Sequence, residues 1–225
     1  YCEEKGLKVF GYDLMESNDV RDMACFESFV VDNKIDRILH LAAIARFADA
    51  DRNQLLADET NVRGTENVAR VAGKHRISIV YASTGSVYMP IKREPPITEE
   101  FEAIGNSTYG CDKKRGEDAV QRFAYPWIIL RYAHLYGKEK RMHGLIGGYL
   151  ERINRGLAPT LNGGKQSNDF TYVKDVARAN YLALTSPWDK WNQIYNIGTG
   201  EELTAETAGQ AICDATGYRG KIEIK

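Results

Sequence analysis

The sequence has 225 residues, of which 43% are hydrophobic and 27% charged, and its formal net charge is −1. These values are those of an ordinary globular protein with one large α/β domain, or with one domain and a smaller lobe. The near-neutral charge predicts no nucleic-acid partner. No apolar run approaches the roughly 18 residues of a membrane-spanning helix, so we expect no membrane partner either.

The cysteines show neither metal-site spacing nor a disulfide framework; they are Cys2, Cys25, Cys111 and Cys213. We therefore expect reduced thiols, no metal site and a cytoplasmic protein. The sequence starts without a Met or a first strand, and residues 221–225 form a strand-like run at its end. These ends predict that the sequence is part of a longer chain.

Short apolar runs alternate with amphipathic segments along the chain. The runs predict strands at residues 8–13, 36–43, 77–82, 127–132, 169–173 and 193–197. Apolar residues at helical spacing predict helices at residues 19–31, 51–74, 109–123, 145–155, 174–185 and 204–216. Strands that alternate with helices indicate βαβ units and a parallel sheet.

Small and polar residues follow several of the predicted strands. They are Asp13, the pair Ala42-Ala43, the pair Ser83-Thr84 and the stretch from Tyr132 to His134. In parallel sheets, ligands bind outside the carboxyl ends of the strands. The sequence therefore predicts a ligand site at this edge of the sheet.

Tyr109 and Lys113 lie four residues apart at the start of a predicted helix. A nearby ammonium lowers the pKa of a phenol, which is ordinarily about 10, and so suits it to acid–base work. The spacing alone is weak evidence for a catalytic pair, because the chain contains four Tyr-x-x-x-Lys matches. Tyr109 alone follows both helix-capping residues and a strand that ends in hydroxyls. A solvated helix face is the alternative interpretation of this pair.

Other polar residues at the predicted edge also have two interpretations. Thr84 could bond a substrate oxygen or cap its strand. Asp13 could accept both ribose hydroxyls of an adenosine, which favours NAD over NADP, or form a turn. Asp19 and Val20 could contact adenine, or Asp19 could cap a helix.

Three further polar residues complete the set of candidates. Asn61 lies inside a predicted helix, where it is either a ligand contact or an exposed side chain. His134 follows a strand and could reach a substrate, whereas His40 is predicted to be a packed strand residue. No cluster of His, Cys and Asp residues indicates a metal.

Nine short segments together carry a resemblance; they are residues 9–13, 19–22, 40–43, 60–65, 81–88, 109–113, 130–137, 169–177 and 195–200. By these segments the chain resembles the extended short-chain dehydrogenase/reductase superfamily. Within it, the chain is similar to the NAD-dependent epimerase/dehydratase family, typified by UDP-glucose 4-epimerase. Each segment is weak alone, but together they follow the family order over nearly the whole chain.

The resemblance implies a role for each matching residue. The implied catalytic residues are Thr84, Tyr109 and Lys113. The implied NAD contacts are Asp13, Asp19, Val20, Leu41, Ala42, Ala43, Asn61, Tyr109, Lys113 and Tyr132. The implied substrate contacts are Thr84, Ser86, His134 and Asn168. The resemblance also implies a homodimer, formed through the helices near residues 51–74 and 109–123.

The chain departs from the family at its phosphate-binding loop. The pattern Gly-x-x-Gly-x-x-Gly, which would bind the cofactor pyrophosphate, is absent from the sequence. We expect it upstream of Tyr1, and we expect these 225 residues alone to bind NAD poorly.

Other departures concern the substrate. Family dehydratases place an Asp-Glu pair where this chain has Gly85 and Ser86, so dehydratase activity is disfavoured. Nucleotide-sugar members often have Asn in place of His134 and Arg in place of Asn168. These two differences weaken the case for a nucleotide-diphosphate sugar. Two arginines could supply the missing cation, namely Arg141 and Arg152.

The predicted fold is a Rossmann-like doubly wound α/β sheet with a small C-terminal lobe. Residues 1–137 would form the NAD-binding domain, without its first βα unit. Residues 138–225 would form the substrate lobe, with some segments returning to the main domain. Residues 138–147 and 161–168 would set specificity.

The leading functional hypothesis is NAD-dependent 4-epimerisation of a nucleotide-activated hexose through a transient keto intermediate. In that reaction Tyr109 takes the hydroxyl proton, Thr84 orients the oxygen, and Lys113 lowers the pKa of Tyr109 and holds the nicotinamide ribose. An NAD-dependent dehydrogenase or keto-sugar reductase would use the same residues. A non-catalytic dinucleotide-binding protein is the alternative from another class.

Overall fold

The computed structural model describes residues 1–88, 96–105, 107–137 and 144–224. Its α-helices are α1 Met23–Asp32, α2 Phe47–Arg52, α3 Gln54–Ala57, α4 Gly64–His75, α5 Thr108–Phe123, α6 Gly144–Asn154, α7 Val173–Leu184 and α8 Ala205–Thr216. Its strands are β1 Arg37–His40, β2 Ser78–Thr84, β3 Trp127–Tyr132, β4 His134–Tyr136, β5 Thr160–Leu161, β6 Ser167–Asn168, β7 Phe170–Tyr172, β8 Gln193–Ile197, β9 Leu203–Thr204 and β10 Glu223–Ile224.

The chain divides into two compact units. The first comprises Tyr1–Tyr132 and Ala177–Ile197, and the second comprises Ala133–Val176 and Gly198–Lys225. The first boundary therefore follows Tyr132 rather than Gly137, and residues 177–197 belong to the first unit.

A four-stranded parallel sheet forms the centre of the first unit, in the order β1-β2-β3-β8. Side chains alternate between its faces because the period of a strand is two residues. Ile79, Tyr81 and Ile129 belong to a core with residues of α1, α4 and α5. Val80, Ile128 and Leu130 belong to a second core with the end of α7 and Trp191. Helices thus cover both faces, which confirms the predicted doubly wound sheet.

Three predicted elements of the first unit are wrong in detail. Residues 8–13 are not a strand, because no described strand lies beside them to complete a ladder. The long helix expected at residues 51–74 is interrupted: after α2 and α3 a π-helical turn spans Asp58–Arg63, and α4 then begins at Gly64. Helix α1 begins later than predicted, with Asp22 as its N-cap.

The second unit has its own small core. Tyr149 of α6, Leu161 of β5 and Ala205 of α8 are all buried in it. Short strand pairs surround this core: β4 pairs with β7, β5 with β10, and β6 with β9. Thr204 caps α8, and Gly217 ends it in a left-handed conformation with φ of 72°.

A buried ionic network fixes helix α5 to the sheet. Arg131 of β3 donates to both carboxylate oxygens of Glu117 on α5, at 2.9 and 2.7 Å. Ser83 of β2 donates to the same carboxylate at 2.5 Å. Arg131 also donates to the Tyr88 hydroxyl at 2.7 Å, and that hydroxyl donates to Asn196 of β8. The network therefore joins three neighbouring strands and one helix.

Removing one partner of the buried ion pair between Arg131 and Glu117 should destabilise the protein strongly. We expect Arg131→Met to lower the free energy of unfolding by roughly 3–5 kcal/mol, because Glu117, only 1% exposed, would keep a buried charge without its cation. The measurement is equilibrium unfolding in urea, read by circular dichroism.

Two controls separate this effect from a general loss of charge. The double variant Arg131→Met/Glu117→Leu should recover most of the loss, because no buried charge then remains. Arg155→Met, which removes an exposed pair with Glu151, should leave stability nearly unchanged. If Arg131→Met lowered the free energy of unfolding as little as Arg155→Met does, the network would not hold α5 as described.

Candidate active site

The hydroxyl cluster lies at the carboxyl end of β2. Thr84 is the last residue of the strand, and its Oγ1 accepts a hydrogen bond from the Ser86 backbone N–H at 3.2 Å. The Thr84 and Ser86 hydroxyls are themselves 3.2 Å apart. Thr84 pairs with Tyr132, the last residue of β3. The structure thus places two strand ends and two hydroxyls together, as the sequence predicts.

Helix α5 begins directly beside this cluster. Ser107 caps the helix, because its Oγ accepts from the Gly110 N–H at 3.0 Å. A side chain at position 110 would be impossible, since a Cβ there would lie 2.8 Å from the carbonyl oxygen of Ser86. Glycine therefore lets the first turn of α5, which carries Tyr109, touch the turn after Thr84.

The Tyr109 ring is largely enclosed. It packs edge-on against Phe47 of α2, with the ring centroids 5.4 Å apart. Burial raises the pKa of Tyr109 to about 12. Desolvation, and not a charge on Lys113, sets the direction of this shift, so the expected lowering of the Tyr109 pKa by Lys113 stays a prediction. The phenol is therefore protonated at neutral pH in this structure.

Lys113 lies one turn further along α5 and is only 2% exposed. Burial lowers its pKa to about 7, although Glu117 and Asp112 oppose this shift. Within the described ranges its ammonium makes no hydrogen bond or ion pair with another side chain. Its Nζ lies 4.2 Å from the centroid of the Tyr81 ring. Burial thus opposes the charged form of the amine, and its donor capacity is unused among the described residues.

Asn61 supports the loop that follows β1. It is fully buried within the π-helical turn. Its amide accepts from the Ile44 N–H at 2.7 Å and donates to the Ile44 carbonyl at 3.2 Å. The preceding residues Leu41, Ala42 and Ala43 follow β1, and Leu41 is 54% exposed. Asn61 is thus a buried loop anchor rather than an exposed helix residue, and its predicted NAD contact stays a prediction.

Tyr132 also faces a polar partner. Its hydroxyl donates to Asn180 of α7 at 2.6 Å. Burial raises the pKa of Tyr132, and the nearby Tyr109 raises it further. The electrostatic coupling of the two phenols indicates that Tyr109 and Tyr132 share one region of the first unit.

The residues predicted to contact adenosine lie near the start of the chain, between Asp13 and Val20. Asp13 caps a short 3₁₀ turn by accepting from the Met15 N–H at 2.8 Å, so its turn-forming role is present. Asp19 is held by Arg21, which donates to its carboxylate and lowers its pKa. The Val20 side chain is 7% exposed and packs in the first core. Ligand contacts by Asp13, Asp19 and Val20 stay predictions.

Two residues of the second unit are predicted to contact the substrate: His134 lies in β4 and Asn168 in β6. The His134 ring packs edge-on against Phe170 at 5.2 Å, and its backbone N–H donates to the Asp169 carbonyl. Asn168 is exposed in β6. Arg152 donates to the Ala158 carbonyl at 2.5 Å, so it is partly committed within its own unit. Arg141 and most of the expected specificity loop at residues 138–147 lie outside the described residues.

Several buried residues of the site region were missed by sequence reasoning. They are Tyr81, Asp112, Glu117 and Arg131. A signal was present: Tyr81, Ser83 and Arg131 alternate with apolar residues on one sheet face, and Glu117 is one turn after Lys113. A charged or polar residue on a buried strand face indicates an internal partner.

Among the residues that the structure describes, no group of three or more His, Cys, Asp or Glu side chains could hold a metal ion. None of the helices described is both long and apolar enough to cross a membrane.

Comparisons with known proteins were made for sequence and for structure. The chain is 31% identical to "Putative UDP-glucose 4-epimerase" of Methanocaldococcus jannaschii, over 90% of this chain and 68% of the relative. It is 30% identical to UDP-N-acetyl-alpha-D-glucosaminuronate decarboxylase of Bacillus cytotoxicus, over 96% of this chain and 68% of the relative.

Solved structures give the same result. A UDP-glucose 4-epimerase of Thermotoga maritima with UDP-glucose matches with a TM-score of 0.85 and 27% identity, over 92% of this chain and 70% of that one. A UDP-glucose 4-epimerase of Thermus thermophilus in complex with NAD matches with a TM-score of 0.81 and 28% identity, over the same shares. The sequence profile of the "NAD dependent epimerase/dehydratase family" matches residues 5–198. The chain therefore belongs to the NAD-dependent epimerase/dehydratase family.

Proposed function

We propose that the protein is an NAD-dependent sugar epimerase that inverts one carbon, C4, of a nucleotide-activated hexose. The observation that carries the proposal is the contact between the first turn of α5 and the turn after β2. This contact joins the helix turn that carries Tyr109 to the turn that carries the Thr84 and Ser86 hydroxyls, and Lys113 is buried one turn further along α5.

The residues of the first unit fit the reactive end of NAD. When bound, NAD accepts a hydride from the sugar carbon and returns it. The ammonium of Lys113 is buried without a hydrogen-bond acceptor among the described residues, and ribose hydroxyls are suitable acceptors. Residues for the pyrophosphate are not apparent, since the sequence has no Gly-x-x-Gly-x-x-Gly loop.

Tyr109 is the residue that exchanges the substrate proton. Its pKa of about 12 keeps the phenol protonated at neutral pH. The phenol must therefore lose its own proton, for which the neutral Lys113 amine is an acceptor, before it can take the proton of a sugar hydroxyl. A positive charge beside the oxygen favours the phenolate that results. Lys113 can supply that charge, because its pKa of about 7 lets it gain a proton near neutral pH. Thr84 then orients the sugar oxygen by a hydrogen bond.

The substrate class rests on the relatives. Two similar solved structures are UDP-glucose 4-epimerases, and one of them contains UDP-glucose. The Gly85-Ser86 pair after Thr84 provides no carboxylate for eliminating water. A UDP-hexose is therefore the first substrate to test. A homodimer and a cytoplasmic location stay predictions.

The catalytic assignment is tested by removing the phenol oxygen. We expect Tyr109→Phe to lower kcat for UDP-glucose epimerisation by about 10²–10⁴-fold, because the proton then has no acceptor. The variant and the wild type are expressed from the complete gene, and UDP-galactose formation is followed by proton NMR. Tyr1→Phe is the matched control, since Tyr1 begins another Tyr-x-x-x-Lys match and is 41% exposed. Equal rates for Tyr109→Phe and wild type would refute the assignment.

The reaction type is tested by following the cofactor. With excess UDP-glucose and added NAD, we expect UDP-galactose to form without accumulation of NADH, because hydride returns to the sugar. NADH that accumulates in proportion to the sugar consumed would instead establish the dehydrogenase alternative.

A further inference from the structure

The ammonium of Lys113 lies over an aromatic ring in the interior of the first unit. Its Nζ is 4.2 Å from the centroid of the Tyr81 ring, within the distance of about 6 Å at which a cation and a ring face attract. Tyr81 is fully buried in β2, and Lys113 is 2% exposed on α5. The attraction is stronger in such a place than at a surface, because little water competes for the ammonium.

The Tyr81 ring is confined at its hydroxyl end by α5 and on its face by His40. A Cβ at position 116 of α5 would lie 2.1 Å from the Tyr81 Oη, so glycine there leaves room for the hydroxyl end. His40 of β1 stacks on the ring at 5.6 Å and contacts the Thr65 hydroxyl through its Nε2 at 2.9 Å. The ring face therefore cannot easily turn away from the lysine.

The Tyr81 hydroxyl has little role in this arrangement. It makes no hydrogen bond of good geometry among the described residues, although the Thr65 hydroxyl partly opposes the rise of its pKa. A phenylalanine ring at this position would therefore keep the contact with Lys113.

Other charges near Lys113 do not replace the ring. Glu117 and Asp112 on α5 favour the protonated lysine, but Glu117 is already paired with Arg131. Asp112 is 5% exposed, and burial raises its own pKa. The pKa of His40 is lowered to about 3 by burial and by Lys113, so this ring is neutral.

We propose that Tyr81 is a positioning residue for Lys113. The face of the Tyr81 ring holds the Lys113 ammonium in the buried site and favours the charged form of the lysine. In the reaction this contact keeps available the positive charge that Tyr109 needs. That consequence rests on the proposed function, whereas the contact itself does not.

The test measures the titration of Lys113 by NMR in protein labelled with ¹³C at the lysine Cε. The Lys113 signal is assigned as the one that disappears in Lys113→Met. We expect Tyr81→Phe to titrate with the wild-type midpoint, because the ring remains. We expect Tyr81→Leu to titrate at least about half a pH unit lower, because the protonated amine loses the ring face.

A second substitution covers the case in which Tyr81→Leu does not fold. Pentafluorophenylalanine at position 81 keeps the ring shape but reverses the charge distribution of its face, so the midpoint should again fall. An unchanged midpoint in the leucine or fluorinated variant would overturn the proposal, as would an equal fall in Tyr81→Phe. The measurement needs no activity, so it stands apart from the outcome of Tyr109→Phe.

Discussion

The buried pair of Arg131 and Glu117 is the interaction on which the site depends. Strands β2 and β3 are fixed to each other by their ladder, but helix α5 could slide along them. Glu117 prevents this, because its carboxylate accepts from Arg131 on β3 and from Ser83 on β2. Ser83 directly precedes Thr84, and Glu117 is one turn after Lys113. The same bonds that satisfy a buried charge therefore set the position of the reacting groups.

Desolvation is the second constraint, and it acts against the charges that the chemistry needs. Burial raises the pKa of Tyr109 to about 12 and lowers that of Lys113 to about 7. At neutral pH these shifts favour a neutral phenol and oppose the charged form of the amine. A phenolate and an ammonium, formed together, would stabilise each other in this enclosed place. The site is therefore suited to a proton exchange that couples the two groups.

Much of the fold could be predicted from sequence, because it rests on local patterns. Apolar periodicity indicates strands β2, β3 and β8. Capping residues indicate the start of α5 at Ser107 and the end of α8 at Gly217. The break of the helix expected at residues 51–74 could not be predicted, because it follows from the bonds of Asn61 with a distant loop. The strand expected at residues 8–13 was wrong because a strand also needs a neighbour.

The candidate site could be predicted in its residues but not in its electrostatics. The family pattern and the strand ends pointed to Thr84, Tyr109 and Lys113, and in the structure the first turn of α5 contacts the turn after Thr84 through Gly110. The contact between Tyr81 and Lys113 joins residues distant in sequence, so spacing could not show it. The direction of the Tyr109 pKa shift could not be predicted for a related reason: it depends on how far Phe47 and the neighbouring loops exclude water.

The most direct test of the central claim follows the hydrogen on the reacting carbon. UDP-hexose carrying deuterium at C4 is incubated in ordinary water with NAD and the protein expressed from its complete gene. If Tyr109 exchanges only the hydroxyl proton while hydride leaves and returns to the same carbon, both epimers will retain deuterium at C4. Loss of that deuterium to the solvent at the rate of epimerisation would contradict the account.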